Sequence, residues 1–370
     1  MAKTAGNRKK KRSLFFGLTS RALMLAAAGL LLLSYLSQFI NPAKAWFMVL
    51  FGLLYIPLLL LNVLLLAWAV HRRSRAGWIP LLVLLPSVFF AGRYVRFSSR
   101  PVPPPADSLR IVSYNVGRFA LSDGTSREAC MDSVMRFLRD QDADLICLQE
   151  FYMRDASAVR SYLQRRFRGY DIGYYVYPTA KGCFGNVTLS RFPARSRGKL
   201  DFENSANLAL YSDYDIRGTK LRVYNCHFQS YSISLPRIAK AFKSDYREAV
   251  RDTERRMRAS LLLRPRQVDR VLEDIDNCPT EAVVVGDFND TPLSYTYRRL
   301  SRGRKDSFVE AGKGFGATYA LLRPLLRIDY ILYPENMAAV SHKVERRPFS
   351  DHYPIVSTLS LDGKTRTEQP

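Results

Sequence analysis

The sequence predicts an α/β domain of two packed β-sheets with helices outside them, preceded by an N-terminal hydrophobic region. Beyond residue 106, short apolar runs alternate with segments of helical periodicity, as is typical of α/β domains. The first 106 residues contain no Asp or Glu, so all 33 acidic residues lie beyond them. Those 106 residues also contain long uncharged apolar stretches. We therefore expect the 370-residue chain to divide near residue 106.

The basic residues have two different settings. Fourteen of the 56 lie in the first 106 residues, including the run from Arg8 to Arg12, and the rest of the chain has 42 basic against 33 acidic residues. The N-terminal charges flank apolar stretches, which favours membrane topology over nucleic-acid binding as their explanation. The smaller excess beyond residue 106 suits an anionic substrate such as a phosphate ester, and also a domain beside anionic lipid.

The five cysteines give no sign of a disulfide framework or a thiolate metal site. They are scattered, contain no C-x-x-C pair and are odd in number. We expect them to be small core residues. They are Cys130, Cys147, Cys183, Cys226 and Cys278.

Two apolar stretches, residues 18–40 and 45–70, are predicted to span a membrane. Each is long enough to cross a hydrocarbon core of about 30 Å as a helix. A cleavable signal peptide is disfavoured for the first, because its apolar core is too long and the second stretch follows closely. A third stretch, residues 78–95, is shorter and contains two prolines. We predict that it spans as well; the alternative is a re-entrant or interfacial segment.

Positive charges predict the orientation of these helices. Arg8–Arg12 before the first stretch and His71–Arg75 after the second both favour the cytoplasm. With a third span across the inner membrane, the next domain lies outside the cytoplasm. Arg93, Arg96 and Arg100 would then lie on the side that basic residues disfavour. Without a third span the domain is cytoplasmic.

The predicted segments follow from these boundaries. Residues 1–17 are a basic cytoplasmic N-terminus, 18–97 a membrane region with two or three helices, and 98–107 a Pro-rich linker that acts as a stiff tether. Residues 108–362 form the α/β domain and 363–370 a polar tail. Within the domain we predict a helix over 127–140 and an Arg-rich helical region over 235–276 that breaks near Pro265. The main predicted strands contain residues 109–116, 144–150, 281–287, 327–334 and 354–361.

Polar residues stand where predicted strands end. Loops at strand ends are where a rigid sheet presents chemistry, and charged groups beside apolar runs need a partner or a metal. Asn115 follows IVSY, Glu150 follows LICLQ and His227 follows VYNC. The others are Asp287 and Asn289 after VVVG, and Asp351 and His352 before the last strand.

This set of residues suits metal-assisted phosphoryl hydrolysis. Magnesium takes oxygen ligands, for which Glu150 and Asp351 are the natural candidates, and a bound metal would polarise a phosphoryl oxygen. His227, Asn289 and His352 are suitable donors to a substrate phosphate. Asp287 is placed to orient or deprotonate the attacking water. Read singly, each residue also has an ordinary structural role, such as a turn for Asn115.

Seven motifs in order closely resemble the endonuclease/exonuclease/phosphatase family. The resemblance covers about residues 108–362, which are thus the predicted catalytic domain. That family includes deoxyribonuclease-like nucleases, abasic-site endonucleases, neutral sphingomyelinases and inositol polyphosphate phosphatases. The motifs are SYN with Asn115, LQE with Glu150, GNVTLSRFP with Asn186, NCHF with His227, GDFND with Asp287 and Asn289, RIDYIL with Asp329, and SDHYPI with Asp351 and His352.

The resemblance implies a fold, a cofactor and residue roles. The fold is a four-layer α/β sandwich, and the cofactor is Mg²⁺ or Mn²⁺. Asn115, Glu150 and Asp351 are implied as metal-site residues, with Asp287 near them. His352 is implied as the catalytic histidine, oriented by Asp329. His227 matches a second histidine of the deoxyribonuclease-like and sphingomyelinase branches.

The predicted function is a membrane-anchored, metal-dependent phosphoesterase of the inner membrane. Nucleic acid and phospholipid head groups compete as substrates, and phosphodiester and phosphomonoester cleavage both remain open. The alternative is a non-catalytic membrane protein that binds a phosphorylated ligand. The lipid bilayer is the predicted partner of the N-terminal helices, and no protein partner is predicted. The Arg-rich region 237–270 either flanks a polyanion or forms a salt-bridged surface, the second being favoured by its interspersed acids.

Overall fold

A computed structural model describes residues 2–97, 103–120, 124–203, 205–231 and 246–362, and only the backbone of residues 2–16, 246 and 249. The predicted tail 363–370, linker residues 98–102 and helical residues 235–245 lie outside this description. The chain divides into two compact units. The first contains residues 1–92 and 293–295, and the second contains residues 93–292 and 296–370.

The first unit is helical and is interrupted at its prolines. Pro57 and Pro80 lie in the first turns of helices, and Pro86 directly precedes one, because proline lacks an N–H and fits a helix interior poorly. The second and third predicted spans therefore differ from single helices. The helices are α1 (Ala2–Ser37), α2 (Met48–Leu53), α3 (Tyr55–His71), α4 (Trp78–Leu84) and α5 (Ser87–Ala91).

One helix in the described part of the chain, Gly17–Ser37, is long and apolar enough to cross a membrane. The apolar helices Tyr55–His71 and Arg75–Leu84 are shorter. Residues 95 and 96, which lie within the predicted membrane region 18–97, form a strand of the second unit.

The second unit contains fourteen strands among its described residues. They are β1 (Val95–Arg96), β2 (Ser108–Asn115), β3 (Leu145–Met153), β4 (Asp171–Thr179), β5 (Gly182–Ser190), β6 (Ser196–Asp201), β7 (Leu208–Ile216), β8 (Thr219–His227), β9 (Glu281–Asp287), β10 (Arg304–Asp306), β11 (Gly314–Phe315), β12 (Asp329–Pro334), β13 (Ala338–Val344) and β14 (Ile355–Ser360). The longer strands match the predicted ones. The polar edge strand β6 and strands β10 and β13 were not predicted.

These strands form two six-stranded mixed sheets and one short ribbon. The first sheet has the order β13-β14-β2-β3-β5-β4 and the second β10-β12-β9-β8-β7-β6, while β1 pairs with β11. Each large sheet has one parallel pair at its centre, β2 with β3 and β8 with β9. The carboxyl ends of each parallel pair therefore lie at the same sheet edge.

Helices cover the outer faces of both sheets. They are α6 (Arg127–Asp140), α7 (Val159–Arg166), α8 (Tyr246–Asp276) and α9 (Tyr295–Leu300). A short helix, α10 (Ser307–Ala311), packs against strands of both sheets. One apolar cluster lies between the sheets and includes Ile111, Leu145, Val223 and Val285. Two further clusters join α6 and α7 to the first sheet and α8 and α9 to the second. The predicted four-layer sandwich is confirmed.

Two local expectations have different outcomes. Helix α8 continues through Pro265 from Tyr246 to Asp276, so the predicted break is wrong. Its amphipathic face, which includes buried Leu261, Val268 and Val271, keeps both sides of the proline packed on the domain. The five cysteines are free and four are buried, as expected of core residues.

Candidate active site

Residues from both sheets meet at one edge of the sandwich. The last residue of β2 lies beside β3, and the last residues of β8 and β9 are register partners. The first residue of the antiparallel strand β12 pairs with the last residue of β9, which places Asp329 opposite Asp287. The side chains brought together are Asn115, Glu150, His227, Asp287, Asn289, Asp329 and His352.

Asp287 lies at the centre of this group and is almost fully buried. Its Oδ2 accepts hydrogen bonds of 3.0 Å from Nδ2 of Asn115 and 3.0 Å from Nδ2 of Asn289. Its Oδ1 accepts one of 2.8 Å from the backbone N–H of Asn289. Burial raises the pKa of Asp287 to about 7; His352 opposes this rise and the negative charge of Asp329 adds to it.

Asn289 differs from its expected role as a phosphate donor. Its amide group donates to Asp287 and, at 2.9 Å, to the carbonyl oxygen of Phe228. Its backbone is in the left-handed region, with φ of 51°. The side chain therefore fixes the Asp287 carboxylate against the loop after β8.

Glu150 points into the site because β3 is irregular at this position. The pairing of β3 with β5 shifts between Leu148 and Phe151, and Glu150 has a φ of 51°. Its Oε2 accepts a 3.1 Å hydrogen bond from Nε of Arg118, and its Oε1 lies 3.4 Å from Nδ2 of Asn115. Burial alone would raise the pKa of Glu150, but His227, Arg118 and His352 together lower it. Glu150 is therefore a carboxylate at neutral pH.

His352 is buried and held by Asp329. Its Nδ1 lies 3.0 Å from Oδ2 of Asp329, and its Nε2 lies 3.8 Å from Oδ2 of Asp287. The ring of Tyr319 packs edge-on against the imidazole, with centroids 5.4 Å apart. Burial disfavours the cationic form, but Asp329 and Asp287 outweigh it and raise the pKa of His352 to about 10. The imidazolium therefore has donors on both nitrogens.

His227 lies across the site from His352. Its Nε2 is 3.7 Å from Oε1 of Glu150 and 3.8 Å from Oδ2 of Asp287. Burial lowers the pKa of His227 in spite of the neighbouring Glu150. This histidine is therefore neutral at pH 7, in contrast to His352.

The structure brings together only some of the predicted metal-site residues. Asn115 and Glu150 are neighbours, but Nδ2 of Asn115 faces the carboxylates while its Oδ1 accepts a 3.0 Å bond from the N–H of Gly117. Asp351 is exposed, and its Oδ1 accepts a 3.2 Å hydrogen bond from the hydroxyl of Ser350. The ligand atoms that the described residues bring within 4.8 Å of one another belong to Asp287, Asp329 and His352.

The residues at this edge fit a hard divalent cation. Oxygen donors predominate, as magnesium and manganese prefer. Asp287 and Asp329 face each other as buried register partners, and the repulsion between them contributes to the raised pKa of Asp287. A cation near these carboxylates would relieve that repulsion.

Three features of the site were not predicted. Arg118 contacts Glu150 and lies over the ring of Phe184, 4.1 Å from its centroid. Gly117, Arg118 and Phe119 all have φ between 53° and 56°, so the chain turns sharply after Asn115. Tyr319, which follows β11, packs on the ring of His352. The glycine of NVGRF was a usable signal for the turn, but nothing in the sequence indicated the position of Tyr319.

A layer of buried amides, which was not predicted either, lies between the sheets below the site. Gln149 Nε2 donates to Oδ1 of Asn225 at 2.8 Å, and Asn225 Nδ2 donates to the carbonyl oxygen of Val187 at 2.9 Å. Asn186 Nδ2 donates to the carbonyl oxygen of Asn225 at 3.0 Å. These bonds join β3 and β5 of one sheet to β8 of the other, which fixes the relative positions of their ends.

Comparison with protein families gives two matches. A model described as the Endonuclease/Exonuclease/phosphatase family matches residues 112–352. A second, described as a domain of unknown function, matches residues 12–94. No curated protein sequence matches the chain.

Three solved structures illustrate the likeness of the fold. The endonuclease/exonuclease/phosphatase from Bacteroides vulgatus is 18% identical, with a TM-score of 0.51 over 69% of this chain and 99% of its own. The endonuclease/exonuclease/phosphatase from Beutenbergia cavernae is 19% identical, with a TM-score of 0.51 over 69% and 72%. The catalytic domain of human nocturnin, solved with a bound sulfate anion, is 16% identical, with a TM-score of 0.50 over 70% and 96%.

Proposed function

Because this chain belongs to the endonuclease/exonuclease/phosphatase family, we propose that it is a membrane-anchored phosphoesterase that depends on Mg²⁺ or Mn²⁺. The observation that carries the proposal is the buried imidazole of His352, held by Asp329 at 3.0 Å and facing Asp287 at 3.8 Å. A cationic donor beside a carboxylate of raised pKa is an arrangement suited to acid and base catalysis.

The two groups divide the proton transfers between them. Asp287 accepts a proton from water as the water oxygen bonds to phosphorus. The bond from phosphorus to the leaving oxygen breaks, and that oxygen takes the proton from Nε2 of His352. Transfer of the proton from Asp287 to His352 then restores both groups, so the cycle consumes one water and splits one phosphoester.

Other residues bind and orient. Asp329 keeps the imidazole of His352 in place through Nδ1. Asn289 and Asn115 hold the Asp287 carboxylate by hydrogen bonds to Oδ2. Neutral His227 offers Nε2 as a donor to a phosphoryl oxygen.

Glu150, Asn115 and Asp351 are the residues that would hold the divalent cation, with Asp287 near them. Bound there, the cation supplies positive charge that stabilises the phosphoryl and leaving oxygens. Arg118, which donates to Glu150 at 3.1 Å, would offer its guanidinium to an anionic substrate beside the cation.

The anchor is supported by the surface of the first unit. Of the 26 large hydrophobic residues exposed in the described part of the chain, 21 belong to the first unit. A monomeric domain in water rarely exposes so much contiguous apolar surface, whereas a bilayer accommodates it. The helix Gly17–Ser37 and the basic run Arg8–Arg12 before it suit an inner-membrane anchor with its N-terminus in the cytoplasm.

With residues 45–70 and 78–95 as the second and third crossings, the domain that follows them lies outside the cytoplasm. A reporter fused at the C-terminus tests this, because an alkaline phosphatase fusion is active only outside and a green fluorescent protein fusion preferentially inside. A fluorescent green fluorescent protein fusion together with an inactive alkaline phosphatase fusion would contradict this orientation.

The activity is tested with the full chain purified in detergent. We expect hydrolysis of bis(p-nitrophenyl) phosphate in Mg²⁺ or Mn²⁺ and its loss in a chelator. His352→Ala should lower the rate by at least about 10²-fold, the contribution of a positioned acid or base. His71→Ala, which changes an exposed histidine of α3, is the matched control. Metal-dependent ligand binding without turnover on any phosphoester would instead favour the non-catalytic alternative.

A further inference from the structure

The second unit exposes a small set of large hydrophobic side chains close to its active site. Phe97 is 91% and Leu321 67% exposed, and Phe315 and Leu322 are also exposed. Three of them belong to residues 314–326, which we name the rim loop. In the described part of this unit, Val250 of α8 is the other large hydrophobic residue of this kind.

The rim loop is bound to the chain that emerges from the hydrophobic first unit. Residues 93–97, which we name the strap, begin the second unit directly after Gly92. Val95 and Arg96 pair with Phe315 and Gly314 in the β1–β11 ribbon. The N–H of Gly316 donates to the carbonyl oxygen of Tyr94 at 2.9 Å. The strap therefore follows the apolar first unit in the chain without a spacer.

The same loop is bound to the active site. Its Tyr319 packs on the ring of His352. The N–H of Ala320 donates to the carbonyl oxygen of Asp351 at 2.8 Å, and the N–H of Tyr353 donates to that of Thr318 at 2.7 Å. The exposed Leu321 and Leu322 directly follow these two contacts in the chain.

The charge of the strap and the rim loop suits an anionic surface. Residues 93–97 and 312–326 contain Arg93, Arg96, Lys313 and Arg323 and no acidic residue. Lys313 and Arg323 are exposed beside the exposed apolar side chains. Apolar side chains flanked by basic ones are the composition that binds at the interface of a bilayer containing anionic lipid.

We propose that the rim loop docks on the bilayer that holds the first unit and that the substrate is a phospholipid, whose head-group phosphoester enters the active site beside Tyr319 and His352. This inference rests on the proposed function, since it names the substrate class of the same site. Leu321 and Leu322, the exposed residues that follow Tyr319, favour lipid over nucleic acid, because bases stack on aromatic side chains and not on aliphatic ones.

Docking is tested by fluorescence quenching in the full chain. A Cys278→Ser background removes the one cysteine that is not buried, and Leu321→Cys receives an environment-sensitive fluorophore. Val250→Cys is the matched control. In vesicles of phosphatidylethanolamine and phosphatidylglycerol, we expect spin-labelled lipid to quench the label at position 321 at least about twofold more than at position 250, because interfacial groups enter the bilayer by roughly 5–10 Å. Equal quenching at the two positions overturns the docking. Protection of the label at position 321 that depends on protein concentration also overturns it, because it indicates contact with a second copy of the chain.

Substrate class is tested by comparing two substrates. The measured quantity is the rate on phosphatidylglycerol in the vesicles divided by the rate on bis(p-nitrophenyl) phosphate. Leu321→Asp with Leu322→Asp should lower this ratio at least about tenfold, since apolar burial is lost and the new charges are repelled by anionic lipid. Val250→Asp should not lower it.

The two proposals fail in different ways. Hydrolysis of the soluble ester and of DNA or RNA, with none of phospholipid, overturns the lipid assignment and leaves the phosphoesterase intact. Absence of turnover on every ester overturns the proposed function, while the quenching experiment still decides whether the rim loop docks.

Discussion

The imidazole of His352 is held by the carboxylate of Asp329, with Nδ1 and Oδ2 3.0 Å apart and both groups buried. The topology of the fold brings these two residues together. Asp329 opens β12 opposite the end of β9, and His352 precedes β14 in the other sheet. The bond thus crosses the sandwich at the edge that carries the candidate active site.

Replacement of Asp329 by Asn tests this pair. The variant keeps the shape of the side chain but removes the charge that favours the imidazolium, so we expect the rate to fall by about 10-fold or more, within the range of a lost acid or base. The pKa of His352, followed by its NMR chemical shift, should fall from its raised value. An unchanged titration with an unchanged rate would contradict the assignment. Asp269→Asn, an exposed change on α8, is the control.

Glu150→Gln tests the metal site without an activity assay. The substitution removes a negative charge that would face the cation, and we expect the metal affinity to fall by about 10- to 100-fold. Mg²⁺ should raise the thermal unfolding midpoint of the wild type, because a ligand that binds the folded state stabilises it, and should do so less for the variant. The same shift in both proteins would exclude Glu150 as a ligand. Glu128→Gln, an exposed residue of α6, should keep the wild-type response.

Gly286→Ala tests the backbone next to Asp287. Gly286 has a φ of 135°, and an added Cβ would lie 2.0 Å from the carbonyl oxygen of Cys226. Gly218 also has a positive φ, of 88°, but has open space around it. Backbone strain of order 1–3 kcal/mol is common to both alanine variants, whereas the clash affects Gly286→Ala alone. Urea unfolding should show the larger loss of stability for Gly286→Ala, and equal losses would contradict the argument.

Arg264→Ala tests a buried ion pair behind the site. Nη1 of Arg264 lies 3.0 Å from Oδ2 of Asp290, Nε donates to the carbonyl oxygen of Gln229, and Tyr231 donates to the same carboxylate. Removal of one partner leaves a buried charge and should cost about 3–5 kcal/mol. Arg266→Ala, an exposed change in the same helix, should cost little. Adding Asp290→Asn to Arg264→Ala should recover part of the loss, as measured by urea unfolding.

Because His342 is buried in its neutral form, we expect the folded protein to lose stability in acid. Burial lowers the pKa of His342 to about 3, and its Nδ1 contacts the hydroxyls of Ser307 and Ser357. Only the unfolded chain takes up this proton between about pH 6.5 and pH 3, so the stabilisation is complete above pH 6.5 and decreases as the pH falls. From about pH 7.5 to pH 5 the loss is roughly 2 kcal/mol. His342→Asn should lose less over this range in urea unfolding, whereas exposed His71→Asn should behave as the wild type.

The strands and most of the site were within reach of the sequence. Apolar runs such as LRIVSY and AVVV fix buried strands, and a polar residue directly after such a run lies at a sheet edge whatever the pairing. The order of the motifs then indicated which edge residues meet. Asn115, Glu150, His227, Asp287 and His352 follow from this reasoning.

The remaining features depend on contacts that sequence periodicity does not encode. Arg118 reaches Glu150 through three successive left-handed residues, which only the packing of the turn determines. Strand β6, with the sequence SRGKLD, lies at a sheet edge and has no apolar alternation to reveal it. Pro265 remains inside a helix because packing on both sides outweighs its local penalty. The exposure of Asp351 likewise depends on the conformation of the loop that contains it.

The strap determines where a shortened form of this enzyme has to begin. Truncation at residue 107, the boundary that composition suggests, would remove the carbonyl of Arg93 that accepts a 2.9 Å bond from the buried guanidinium of Arg327. It would also leave β11 without its partner strand, and an unpaired edge invites aggregation. Expression trials and limited proteolysis should therefore favour a fragment that starts at Arg93, although its first residues continue directly from hydrophobic sequence.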